Sequence, residues 1–163
     1  MTTAAPGPRR SPGEQSRLES ELRTLFEHRI TFNEVLGIKV VSFDPSRPRV
    51  RFEMRPDLVG HYTYGRLHGG AIAAVLDGTG GFALMVAMGE KHPHESAAQV
   101  IQRFSRVGTI DLRVDFLRQG LGRWFEASAQ VTRLGGRIGS VQTELHSDDG
   151  TLIATGAAAY MVS

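Results

Sequence analysis

His68, Gly69, Gly70 and Asp77 are the residues of this 163-residue chain whose types and spacing suit chemistry. A Gly-Gly pair opening a helix presents backbone N–H groups without intrahelical partners at the positive end of the helix dipole. That end suits polarising a carbonyl or holding an oxyanion, and glycine lets a ligand's carbonyl approach the backbone closely. Asp77 is the one charge in the apolar run over residues 71–88. A carboxylate there suits a general base or a nucleophile toward an acyl group; it could equally serve only to accept hydrogen bonds from neighbouring backbone or from Thr79. Asp77 lies seven residues past Gly70, about 10 Å along a helix axis. Reacting atoms must approach to about 3–3.5 Å, so one carbonyl cannot meet both groups in one helix. If the two act together, they come from two subunits.

The element that carries them spans residues 65–88, GRLHGGAIAAVLDGTGGFALMVAM. From Ala71 to Met88 it is apolar or small on every side and too long for a strand, which predicts a buried helix. Its central Asp77 and the glycines at 78, 80 and 81 argue against a membrane span. Residues 1–10 read as a disordered tail and residues 11–163 as a single domain. Ser11, Pro12 and Glu14 fit an N-cap, first-turn proline and capping-box acid, and Leu18, Leu22, Leu25, Phe26 and Ile30 recur at helical spacing. Together they predict a helix over 12–30. Thr31 and Glu34 repeat the capping-box pattern, Gly37 closes the turn, and Phe32, Val35 and Leu36 are its expected buried face.

Residues 38–44 and 49–54 read as a hairpin, with Val50, Phe52 and Met54 packed and Arg49, Arg51, Glu53 and Arg55 polar. A loop over 55–67 delivers the chain to the long helix, and 97–104 holds a short element. Ile110, Leu112, Val114 and Phe116 alternate with polar residues, the pattern of a half-buried strand. Three more strands follow, with turns at 119–122, at Gly135-Gly136 and at Asp149-Gly150. Two strands, a long helix and four consecutive hairpin-linked strands make an α+β domain with one antiparallel sheet curled round one helix. Because that helix is apolar all round, a second subunit is expected to complete its burial, giving at least a homodimer.

The formal charge of +2 comes almost wholly from arginine, since Lys39 and Lys91 are the only lysines. That balance is too mild for a nucleic-acid binder. With no cysteine there is no disulfide, thiolate nucleophile or Cys-based metal site. His92 and His94 flank Pro93 without a third ligand at useful spacing, so no metal is expected. The N-terminus lacks the apolar stretch of a signal peptide, and a cytoplasmic setting is the default.

The run LHGGAIAAVLDGTGG resembles the signature of hotdog-fold thioesterases of the PaaI type, in which His-Gly-Gly opens the central helix and an acid follows nine residues after the His. His68 and Asp77 keep that interval. TIDLRVDFLRQG and RLGGRIGSVQTELHSDDGTLIATGAAAY resemble the YigI-like branch of acyl-CoA thioesterases, and the resemblance covers about residues 36–162. It implies a hotdog fold, a homodimer that pairs into a dimer of dimers, a place in fatty-acid metabolism, and hydrolysis of an acyl-CoA thioester to free acid and CoA. No cofactor is implied beyond the CoA of the substrate itself.

Residue by residue, the resemblance implies that the Gly69 N–H polarises the thioester carbonyl, with Gly70 beside it and His68 fixing the loop. Asp77 of the other subunit would activate water or attack the carbonyl. Thr109 stands where related enzymes carry a Ser or Thr that orients the water, although alternation puts it on the polar, solvated face of its strand. Relatives place an Asn or Gln six or seven residues before the His; here those positions hold Tyr62 and His61, and His61 can donate a hydrogen bond in that role.

The acyl chain is expected between paired helices, lined by Val75, Leu76, Phe82 and Met85. Arg103, Arg106, Arg118, Arg123, Arg133 and Arg137 are candidates for the CoA phosphates. A hotdog dehydratase or hydratase is one alternative, but its His and acid arrangement is not matched, because His68 belongs to the Gly-Gly motif. A non-catalytic acyl-CoA-binding protein is the other, and no DNA-binding segment gives it an output.

Overall fold

In the computed structural model, which describes residues 8–163, the chain begins with α1 (Pro12–Thr24), a π-turn (Leu25–Arg29) and α2 (Thr31–Leu36). Strands β1 (Lys39–Ser42) and β2 (Arg49–Glu53) follow, then a small hairpin of β3 (Val59–His61) and β4 (Arg66–Leu67). The long helix α3 (Gly69–Lys91) and the short α4 (Ala97–Phe104) precede β5 (Gly108–Phe116), β6 (Trp124–Leu134), β7 (Ile138–Ser147) and β8 (Leu152–Met161). Residues 1–7 of the expected tail lie outside the described residues.

Six strands form one antiparallel sheet in the order β1-β2-β6-β7-β8-β5, and its inner face wraps α3. The strands after α3 are therefore not all linked by hairpins. β5 pairs with β8 at the sheet edge, and the chain then crosses to β6 beside β2. The crossing packs tightly over β4, where the Leu67 amide donates to Gly120 O at 2.8 Å and a Cβ on Gly120 would lie 2.7 Å from Leu67 Cβ. The loop expected over 55–67 thus contains the β3–β4 hairpin, which seats the start of α3.

By length and a mean hydropathy of 1.7, α3 resembles a membrane span, but it lies against the sheet as the core. Val75, Leu76, Phe82 and Leu84 are fully buried, and Phe52 stacks on Phe125 at 5.4 Å beneath the helix. An interior helical glycine costs about 1 kcal/mol relative to alanine. At Gly80 the reason is a close approach: a Cβ there would collide with Tyr160 Oη and lie 2.8 Å from Val141 Cγ2.

The N-terminal helices lie across the other side of α3. Phe26 packs on Phe82 with ring centroids 4.9 Å apart. Arg10, expected in the tail, is tied down instead: its guanidinium donates to Gly89 O at 2.7 Å, Glu95 O at 2.8 Å and His92 O at 3.2 Å. A cation on the last carbonyls of α3 is well placed against the helix dipole. In α2 the expected capping box is not formed, because Ile30 is the N-cap and offers no side-chain acceptor. Phe32 and Val35 are 59% and 63% exposed, while Asn33 and Leu36 turn inward. Asn33 Nδ2 donates to Phe26 O at 2.9 Å, and this buried bond sets the rotation of the turn.

Glu27 fastens this layer to β1. It is 6% exposed, accepts from the Val40 amide at 2.8 Å, and pairs with Lys39 Nζ and an Arg23 nitrogen, each at 3.2 Å. Burial opposes its ionisation, but the Val40 amide, the Lys39 ammonium and the Arg23 guanidinium outweigh burial and hold the carboxyl below its ordinary value. A depressed carboxyl contributes stability above its unfolded value, about pH 4.3, and that stability is lost as pH falls through the lower folded value. Glu27→Gln is expected to cost about 1–3 kcal/mol at pH 7. Urea unfolding at pH 7 and pH 3 checks this, since the gap between wild type and variant should narrow at the lower pH.

Candidate active site

Asp77 is half-buried in the third turn of α3, and two hydroxyls converge on it. Thr109 Oγ1 donates to Asp77 Oδ1 at 2.9 Å. Tyr160 Oη lies 2.7 Å from Asp77 O and 3.1 Å from Oδ1, so its one proton is shared between them. Among the described residues Oδ2 accepts no hydrogen bond. Burial pushes the Tyr160 phenol far above its ordinary value, and the Asp77 charge adds to the shift. Tyr160 therefore stays protonated, a fixed donor. Thr79 donates instead to Val75 O at 2.6 Å, so it is not the partner of Asp77.

Thr109 reaches Asp77 because β5 is irregular. Thr109 pairs with Tyr160, but the next pair is Asp111 with Ala159, which leaves Ile110 as the extra residue of a β-bulge. Directly opposed residues share a face of the sheet. The bulge therefore moves Thr109 from the solvated face, where alternation placed it, to the inner face beside Tyr160. Ile110 is 58% exposed, as is Phe116 at 57%, so the expected half-burial of this strand holds only for Leu112 and Val114.

The second cluster sits at the start of α3. His68 is the N-cap, and its Nδ1 accepts from the Gly70 amide at 2.8 Å. That ring fits only because residue 70 has no side chain, since a Cβ there would lie 2.9 Å from Nδ1. The Ile72 amide donates to His68 O at 3.1 Å. The Gly70 amide is thus committed within the chain; among the described residues the Gly69 and Ala71 amides have no partner, and that of Gly69 stands at the first helical position. His61 lies in β3, its ring 5.6 Å from Tyr62 and 4.9 Å from Tyr64, with Nδ1 buried and unpartnered among the described residues. α3 is one continuous helix, and Gly69 precedes Asp77 by eight residues, about 12 Å of rise. The two clusters do not meet within one chain.

An acid held by two hydroxyls and a helix start with an open amide, carried on a sheet-wrapped helix, can now be set beside known proteins. The thioesterase superfamily model matches residues 64–154. Over 138 residues the chain is 36% identical to the medium/long-chain acyl-CoA thioesterase YigI of Salmonella typhimurium, covering 85% of this chain and 89% of that one. The chain belongs to the thioesterase superfamily.

A Shewanella oneidensis protein described as related to this superfamily has the same hotdog architecture, with TM-score 0.86 and 33% identity over 94% of this chain and 99% of that one. Thioesterase superfamily member 2 of Mus musculus shares the fold at TM-score 0.68 and 20% identity, over 94% and 99% of the two chains.

Within this thioesterase-superfamily fold, Asp77 and Thr109 edge an apolar cavity of about 250 Å³. Of the residues expected to line an acyl site, only Phe82 faces it; Val75, Leu76 and Met85 are sealed in the core at 0–2% exposure. Among the candidate arginines, Arg103 is paired with Glu95, Arg123 with Asp148 at 2.9 Å, and Arg118 donates to Leu152 O at 3.0 Å. Arg103 and Arg106 line a separate polar cavity with Lys91 at the other end of α3, while Arg133 and Arg137 flank the β6–β7 turn. The sequence pattern alone does not single out Tyr160. Its signal was faint: one hydroxyl-bearing aromatic among the inward-facing positions of the last strand.

Proposed function

We propose that this chain hydrolyses medium- to long-chain acyl-CoA thioesters to the free acid and CoA. The observation that carries the reading is the Asp77 carboxylate, whose Oδ1 is occupied by Thr109 and Tyr160 while Oδ2 is left for a reacting water. The likeness to YigI supports the substrate class. We place the reaction in the cytoplasm.

A second copy completes the site. Among the described residues the outer edge of β5 is unpaired, and Ala73, Ala74 and Asp77 stand half-exposed on α3. An isologous pair through β5 extends the sheet, covers that edge and sets the two helices side by side. Asp77 of one subunit then faces Gly69 of the partner subunit. Water attacks the thioester carbon as Asp77 Oδ2 takes its proton, and the oxyanion rests on the partner's Gly69 N–H. Collapse breaks the C–S bond, and the proton passes to the departing thiolate. If Oδ2 attacks the carbonyl itself, the thiolate leaves first and water opens the resulting anhydride; both courses need the same atom.

A dehydratase would need a free histidine base, and His68 Nδ1 is committed to the Gly70 amide. The test is thiol release from acyl-CoAs of increasing length, with Tyr160→Phe alongside. A hydrogen bond to a charged group is worth about 1.5–3 kcal/mol, so kcat is expected to fall by about tenfold to a hundredfold with little change in KM. Gly80→Ala, which drives a methyl into the Tyr160 hydroxyl, should act in the same direction. Binding without thiol release, or dehydration of a 3-hydroxyacyl-CoA with the thioester intact, would overturn the reading.

A further inference from the structure

The cavity at Asp77 is closed on its far side by the N-terminal layer. Phe26, Ile30, Phe32 and Asn33 form that wall, while α3 contributes Ala74, Gly78, Gly81 and Phe82. Three features hold the wall in place. The π-turn, closed by the Ile30 amide donating to Leu25 O at 3.0 Å, adds a residue to the helical turn and so alters the phase between Phe26 and Ile30. Asn33 fastens α2 to Phe26 O, and Glu27 clamps the turn to β1.

The α3 side differs from position to position. At Gly78 a Cβ would already meet Asn33 Oδ1 at 3.4 Å and Phe26 Cζ at 3.7 Å, so the wall is seated there. One turn on, a Cβ at Gly81 would meet nothing closer than Tyr160 Cε1 at 4.0 Å. Gly81 is thus where the helix leaves space inside the cavity.

We infer that this single-subunit cavity, between α3 and the N-terminal helical layer, holds the acyl chain of the substrate, and that Gly81 and Ile30 set the longest chain it accepts. The inference rests on the thioesterase reading and moves the acyl chain away from Val75, Leu76 and Met85. The carboxylate that would activate water lines the same cavity, so a thioester held at Asp77 directs its chain along Gly81 toward Phe82 and Phe104. At about 30 Å³ for a group the size of a water molecule, the space suits on the order of eight chain carbons. Gly81 is helical with no positive φ, so a side chain there fills space without straining the backbone.

The experiment measures kcat/KM for saturated acyl-CoAs from acetyl to palmitoyl, and decanoic acid binding by calorimetry, in wild type, Gly81→Leu and Ile30→Ala. In wild type kcat/KM should rise by about fourfold per methylene buried and level off once the cavity is full. Gly81→Leu should lower the decanoyl-to-acetyl ratio at least about tenfold and weaken decanoate binding. Ile30→Ala should move the optimum to longer chains. Wild-type ratios and wild-type decanoate affinity in both folded variants would overturn the inference and leave the thioesterase reading standing. Wild type that releases no thiol from any acyl-CoA, yet binds decanoate in a Gly81-dependent way, would sink the thioesterase reading and leave the cavity assignment intact.

Discussion

Asp77→Asn is expected to lower kcat for thiol release by about 10²–10⁴-fold, the range for loss of a general base, with a much smaller effect on KM. The substitution is nearly isosteric. Its amide oxygen can still accept from Thr109 Oγ1 and Tyr160 Oη, the two donors now at 2.9 and 3.1 Å from Oδ1. The amide nitrogen then stands where Oδ2 stood, and it can neither take a proton from water nor attack a carbonyl. Circular dichroism and gel filtration should match wild type, so the loss reads as chemistry. Full turnover in the variant would remove Asp77 from the mechanism.

Gly69→Pro is expected to lower kcat by about 10²–10³-fold, the usual cost of one oxyanion donor. Proline fits the first position of a helix and removes only an N–H that makes no helical bond. His68, at φ −67° and ψ 134°, already has the extended backbone that proline demands of its predecessor. The nearest obstacle is the exposed Phe116 ring, 3.4 Å from where a Cβ would stand. The variant thus separates the amide from the fold. In a mixed dimer, Asp77 of a Gly69→Pro chain meets the intact Gly69 of an Asp77→Asn chain. Co-refolding equal amounts of the two inactive proteins should then restore about a quarter of wild-type activity, the share of intact sites under statistical pairing. No recovery in verified heterodimers would remove one of the two groups from the reaction.

The long helix, the first hairpin and the strand pattern were legible because each carries a strong period: apolar on all sides over residues 71–88, alternating in β2 and β6. The His68, Gly69, Gly70 and Asp77 spacing was legible because it depends on one helix alone. What depends on two elements meeting was not. Tyr160 became a partner of Asp77 only through the register of β8 against β5, and Thr109 only through a one-residue irregularity that alternation cannot anticipate. Phe32 and Val35 suggest a buried face because they are apolar. The turn is instead rotated by a polar residue, Asn33, whose bond to Phe26 O decides which side faces in. The cavity wall stayed hidden for the same reason: Phe26 and Ile30 fit an ordinary covering helix until the π-turn changes their phase.

The bulge at Ile110 sets ladder regularity against chemistry. A strand that paired Ile110 evenly, opposite Tyr160, would run regularly along β8 with one fewer apolar side chain in solvent, and by every local measure of sheet quality would be better made. It would also return Thr109 to the solvated face and leave Asp77 Oδ1 with one hydroxyl instead of two. Selection for thermal robustness alone would therefore favour smoothing the bulge, and an engineer who idealised this edge would gain a sturdier scaffold with a poorly held acid.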